Sequence, residues 1–289
     1  MKQRWLVAII GLPLLLLVLL ACPPWATMLL VCAIAGIAAY ELLHVVGNNV
    51  QAGVYAAAIL WALIQVVTIY IDRDRYYAGG LIPFGRWQHA PVDPLWAGPI
   101  TLLVILFFFA VLTYGTERAL PFSTLSAALV GGALFPTMYS CIVLLRMHET
   151  YGRIYVLAPF FIAFAGDSLS MYFGMWFGKR KMAPLVSPKK TWAGFIGGPI
   201  GSALGMLLLG WIGFKWLGYA PSWLHLAAVG VVGNLLGQLG DLSMSLIKRE
   251  HGIKDYSHLF LTHGGMLDRF DSTLFIAPVV YLFVSSGVI

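Results

Sequence analysis

Nine stretches of the chain are long and apolar enough to cross a membrane. They lie at about 5–21, 25–45, 52–71, 95–114, 122–146, 154–178, 194–214, 223–246 and 272–288. A crossing needs about 20 apolar residues, because the hydrocarbon core is roughly 30 Å thick. Inside that core the backbone finds no water, so each crossing closes its own hydrogen bonds as a helix. This leaves one architecture, an all-α polytopic membrane bundle of about nine transmembrane helices. Composition agrees. The 289 residues are 60% hydrophobic and only 10% charged, with a mean hydropathy of +0.84.

The net charge of +6 would suit a nucleic-acid partner, but its distribution does not. The cations sit between spans. With a cytoplasmic N-terminus, the inside segments hold Lys2, Arg4, Arg118, Lys179, Arg180, Lys181, Lys189, Lys190, Lys248, Arg249, Lys254 and Arg269. The outside segments hold Arg73, Arg75, Arg86, Arg146, Arg153 and Lys215. That asymmetry orients a nine-span protein with its N-terminus in and C-terminus out. The first span reads as an uncleaved anchor, since Pro23 follows the LLAC at 19–22 directly. Cys22, Cys32 and Cys141 are odd in number and lie in or beside spans, so they read as packing residues.

Residues 1–150 read as a transmembrane scaffold and residues 151–289 as the catalytic region of one integrated membrane domain. In the scaffold the polar residues fall mainly in an outer loop at 72–94, and Glu41 with His44 reads as a structural pair. In the second half they cluster around Asp167, in GKRKMAPLVSPKKTW, and from Gly240 to Ser272. Asp167 lies near mid-span, where a carboxylate is costly and faces a cavity or a partner. Gly194, Gly197, Gly198, Gly201 and Gly205 place small residues four apart, which brings helix backbones together.

The run SPKKT, with Ser187, Lys189, Lys190 and Thr191, reads as the first turn of a helix. Two lysines are poorly placed there unless an anion binds, which makes the segment a phosphate-site candidate. Lys179, Arg180 and Lys181 read as positive-inside anchoring with attraction for anionic lipid. Asp241 falls near the inner end of its helix. Asp268 and Asp271, three apart, share a face where the last helix opens. Three carboxylates could so converge at one depth. Capping would account for one of them; with basic residues around, oxygen donors of this kind suit Mg²⁺ and a phosphate substrate.

Taken together these segments resemble the phosphatidate cytidylyltransferases, or CDP-diacylglycerol synthases. The family pattern appears as Ser245, Lys248-Arg249, Lys254-Asp255, His263-Gly264-Gly265 and Asp268-Arg269-Phe270-Asp271, with GDL at 240–242 and SPKKTWAGFIGG at 187–198. The resemblance implies transfer of the cytidylyl group of CTP to phosphatidate, releasing pyrophosphate, at the cytoplasmic face of the inner membrane. It implies Asp241 and Asp268 as the ligands of Mg²⁺, with a second, monovalent ion as a further candidate. Lys248, Arg249, Lys254, Asp255, His263, Arg269 and Asp271 would complete the catalytic set. Ser187, Lys189, Lys190, Thr191, Gly264, Gly265 and Asp167 would bind nucleotide and phosphate. A homodimer in membrane lipid is the implied assembly. The chain departs from the pattern at Ala193, Met244, Leu261 and Thr262, which leaves open another lipid phosphate or a lipid alcohol as acceptor. A transporter is the alternative from a different class. It predicts charges reaching both faces, whereas the strong clusters here fall on one.

Overall fold

The structure is a computed structural model that describes residues 11–47, 50–77, 93–259 and 264–289. Among them the helices run in the order expected from hydropathy. These are α1 (Gly11–Ala21), α2 (Pro24–Val46), α3 (Ala52–Tyr77), α4 (Pro94–Thr113), α5 (Phe122–Arg146), α6 (Gly152–Phe177), α7 (Trp192–Leu217), α8 (Trp223–Glu250) and α9 (Leu267–Ser285). Seven of them, α2 to α8, are long and apolar enough to span a membrane. In the sequence, α9 opens with Asp268, Arg269 and Asp271. The protein is therefore a multi-pass membrane protein. A two-stranded antiparallel sheet, β1 (Lys181–Ala183) with β2 (Ser187–Thr191), interrupts the helical pattern between α6 and α7.

The chain forms two compact units. One comprises Met1–Met147 with Tyr256–Leu267, the other His148–Asp255 with Asp268–Ile289. In the first, α2 is the central helix. It buries Val31, Ile34, Ala35, Ala38 and Leu42, and packs on α3 and α5. A π-turn at Val130–Leu134 inside α5 lets Gly131 and Gly132 lie against the backbones of Ala39 and Ala58. The buried amide of Gln65 is satisfied by the protein itself. Gln65 donates to the Pro94 carbonyl at 3.0 Å and to Thr137 Oγ1 at 3.2 Å.

In the second unit α7 packs against α6 and α8. Its glycine row explains the intimacy. A Cβ on Gly197 would lie 2.7 Å from the Phe173 side chain, and one on Gly205 2.7 Å from Ala165 Cβ. In lipid there is no hydrophobic drive between helices, so this close van der Waals fit is what holds them. Ser202, fully buried, adds an interhelical bond to the Ile162 carbonyl at 2.6 Å.

One local expectation is overturned. SPKKT does not open a helix; Ser187–Thr191 is β2, paired with β1 at Lys181↔Thr191 and Ala183↔Ser187. The helix begins at Trp192, and Thr191 is its N-cap, its Oγ1 accepting from Gly194 N at 3.2 Å. The physical reason is that Thr191 supplies the cap, and a cap residue has extended rather than helical backbone. Pro188 is tolerated one step inside β2 because a two-stranded ribbon has only edge strands.

Candidate active site

The second unit contains a cavity of about 490 Å³, within the range of a ligand site, lined by α6, the β1–β2 hairpin, α7 and α8. Each element contributes chemistry for a local reason. At the end of β2 that meets α7, Lys189, Lys190 and Thr191 all border the cavity. Thr191 is buried, spending its hydroxyl on the α7 cap. Helix α6 contributes Asp167 and Ser170, with Ser170 Oγ donating to the Gly194 carbonyl at 2.8 Å. Gly174 and Gly178 keep that end of α6 open towards Thr191. Helix α8 presents Gln238 and Asp241, three residues apart and therefore on one side. Met171, Met175 and Phe195 supply apolar wall.

The cavity is ionic at its centre. Lys190 Nζ lies 2.7 Å from Asp241 Oδ2. The pair is close but not aligned as a hydrogen bond, so this buried ammonium has no hydrogen-bond acceptor among the described residues. The other Asp241 oxygen, Oδ1, accepts from Ser245 Oγ at 3.3 Å. A second pair in the same unit joins Lys248 Nζ to Asp268 Oδ1, with Lys248 only 8% exposed. Asp167, Asp241 and Asp271 lie close enough to repel one another, and Lys190 offsets Asp167 while Lys248 offsets Asp271. Four carboxylates here are set against four lysines, Lys190 and Lys248 in ion pairs and Lys181 and Lys189 at the cavity wall.

That charge balance bears on a metal. Carboxylate oxygens are the hard donors Mg²⁺ prefers, and each of Asp241 and Asp268 already attracts a cation, a lysine ammonium. Among the described residues no three Asp, Glu, His or Cys groups converge tightly enough to hold an ion by themselves. The donors thus fit an ion bound by one or two carboxylates and completed by water and a substrate phosphate, the usual habit of Mg²⁺.

The other expected site residues are placed less uniformly. Ser187 is in β2, at the far end from the cap. Arg249 is exposed at the end of α8, where Nη1 donates to the Ile253 carbonyl at 2.7 Å. Lys254 and Asp255 are exposed in the segment that follows, and Arg269 is exposed on α9; none of the four lines the cavity. His263 lies outside the described residues, as do Leu261, Thr262 and most of the outer loop at 72–94. Met244, where the family pattern has an acid, is a buried packing residue.

Gly264 and Gly265 belong to the first unit, and there the structure shows a role that the sequence did not reveal. Glu41 on α2, 1% exposed, accepts from Ser257 Oγ at 2.6 Å, Met266 N at 2.9 Å and Leu267 N at 2.8 Å. It ties Ser257 to Met266 and Leu267, the last being the first residue of α9. Gly265 is obligatory beside it, since a Cβ there would overlap the Glu41 carboxylate. The pairing of Glu41 with His44 does not form; His44 stacks on Tyr40 with ring centroids 5.7 Å apart. Gln238 and Ser170 are further cavity residues that sequence reasoning passed over, and Lys181, read as an anchoring residue, borders the cavity as well. Only Gln238 left a signal, its position one turn before Asp241.

Comparison with known proteins adds an independent line. The model of the cytidylyltransferase family matches residues 2–286. A phosphatidate cytidylyltransferase of Rickettsia felis is 33% identical over 190 residues, covering 65% of this chain and 82% of the relative. One from Staphylococcus aureus strain COL is 37% identical over 207 residues, covering 70% and 75%. Nearly the whole length is accounted for by one family model, and the chain belongs to the cytidylyltransferase family.

Proposed function

We propose that the protein transfers the cytidylyl group of CTP to phosphatidate, forming CDP-diacylglycerol and pyrophosphate at the cytoplasmic face of the inner membrane. The carrying observation is Lys190. Its buried ammonium is held beside Asp241 in the cavity with no aligned acceptor. A phosphate oxygen satisfies such a group, and the lysine stays in place because the carboxylate anchors it.

The reaction needs little proton chemistry. A phosphate monoester is already anionic near neutral pH. Its oxygen attacks the α-phosphorus of CTP, a new P–O bond forms there, and the bond from the α-phosphorus to the bridging oxygen breaks as pyrophosphate leaves. The obstacle is repulsion between two anions, so catalysis is mainly neutralisation and positioning. Lys190 and Lys189 would receive the triphosphate. Lys248, held by Asp268, is a second buried cation for the charge that develops on the equatorial oxygens. Asp241 and Asp268 would hold Mg²⁺, which would supply Lewis-acid neutralisation of phosphate charge. Gln238, whose amide donates to the Phe195 carbonyl and to Asn234 Oδ1, is held rigidly at the wall and would help shape the nucleotide side. A site bordered by membrane-spanning helices suits one substrate from the bilayer and one from water.

The test is product analysis with CTP labelled in either the α- or the γ-phosphate, together with phosphatidate and Mg²⁺. Label from the α-position in lipid, and from the γ-position in pyrophosphate, is expected. Label from the γ-position in lipid would replace transfer with a kinase reaction, and no lipid label from either would remove phosphatidate as the acceptor.

A further inference from the structure

Lys179, Arg180 and Lys181 are not all used by the reaction above, and the hairpin that follows them has an unusual tip. Residues 179–191 carry Lys179, Arg180, Lys181, Lys189 and Lys190 and no acid. Leu185, in the turn between β1 and β2, is 89% exposed, and no described residue shields it. The chain fixes where this hairpin sits, because it joins the membrane-spanning helices α6 and α7. Its base carries the marks of headgroup level. Tyr172 and Trp176 near the end of α6 and Trp192 at the start of α7 are all exposed, as aromatic residues are at a membrane interface.

We propose that the β1–β2 hairpin docks on the anionic bilayer surface, with Leu185 inserted at the acyl boundary and Lys179 and Arg180 over the lipid headgroups. The charge is complementary, since basic residues beside a span gain from anionic lipid at the surface. The apolar tip gains from leaving water. Lys181 and Lys189 also border the cavity, so the docked hairpin is one wall of the site and ties its opening to lipid surface charge. This placement depends on membrane topology and not on the reaction assigned above.

The test is spin-label accessibility at Leu185→Cys in a background of Cys22→Ser, Cys32→Ala and Cys141→Ala. The protein is placed in nanodiscs of phosphatidylcholine alone or with phosphatidylglycerol. In the anionic discs the label should be shielded from a water-soluble nickel chelate by about threefold or more relative to neutral discs, and open to oxygen. Lys179→Gln with Arg180→Gln should erase most of that difference. Leu185→Ser should raise the apparent KM for phosphatidate at the micelle surface and leave that for CTP unchanged. A label open to the nickel chelate in both discs would overturn insertion. A label equally shielded in both would overturn the dependence on anionic lipid. The label reads docking without turnover, so a wrong substrate assignment would leave it unaffected.

Discussion

Both units bury polar side chains, but they treat them differently. In the first, Glu41 accepts three hydrogen bonds from the chain and Gln65 donates two. Those bonds all run within the protein. In the second, Lys190 and Asp241 meet as an imperfectly aligned pair at a cavity, and Asp167 faces the same space. Burying a charge is expensive in either place. Glu41 recovers the cost within the fold; Lys190 leaves part of its bonding capacity open at a cavity, whereas the open groups of Thr27 and Thr124 in the first unit are uncharged hydroxyls. An unsaturated charge at a cavity, rather than burial or charge alone, separates a working polar group from a structural one.

The sharpest way to break that contrast is substitution at its two poles. Asp241→Asn should lower kcat/KM by about 10³-fold, as losing a charged group from a phosphoryl-transfer site does, while its thermal midpoint moves little. Glu41→Ala should do the reverse in kind. It leaves two buried backbone N–H groups and a hydroxyl without an acceptor, and should cost about 3 kcal/mol or more of stability, read as a lowered midpoint in detergent. Glu41→Gln, which keeps one acceptor oxygen, should recover part of the loss. If Asp241→Asn unfolds the protein, or Glu41→Ala leaves its midpoint untouched, the distinction between the units fails.

Smaller effects sharpen it. Lys190→Met should lower kcat/KM by about 10²-fold and weaken CTP binding measured by equilibrium titration, because the cavity loses its unsatisfied cation. Gln65→Leu should cost only about 1 kcal/mol, since Thr137 also bonds the Ala133 carbonyl, and should leave turnover unchanged.

The helices were legible in the sequence because hydropathy is a local signal and lipid admits few alternatives. The close packing of α6 on α7 could be read from glycine spacing for the same reason. The strand at Ser187–Thr191 could not, because Pro188 before two lysines imitates a helix start and the competing β1 partner is outside that window. The separation between Lys190 with Asp241 and Lys248 with Asp268 was also invisible. All four residues were named, yet which cation meets which acid is a tertiary fact. Glu41 was read as structural, as it is, but its partners could not be named. Its partners lie 216, 225 and 226 residues away, and an acid on an apolar helix looks alike whether it is saturated or open. Resemblance to the family named Arg249, Lys254, Asp255 and Arg269, but did not reveal that they stand exposed and away from the cavity.

The most direct test places wild type and Asp241→Asn side by side, both purified in detergent and matched in thermal midpoint, with α-labelled CTP, phosphatidate and Mg²⁺. The account predicts labelled CDP-diacylglycerol from the wild type and, from the variant, at most about a thousandth of that rate. Equal label in lipid from both proteins would contradict it and remove Asp241 from the centre of the site.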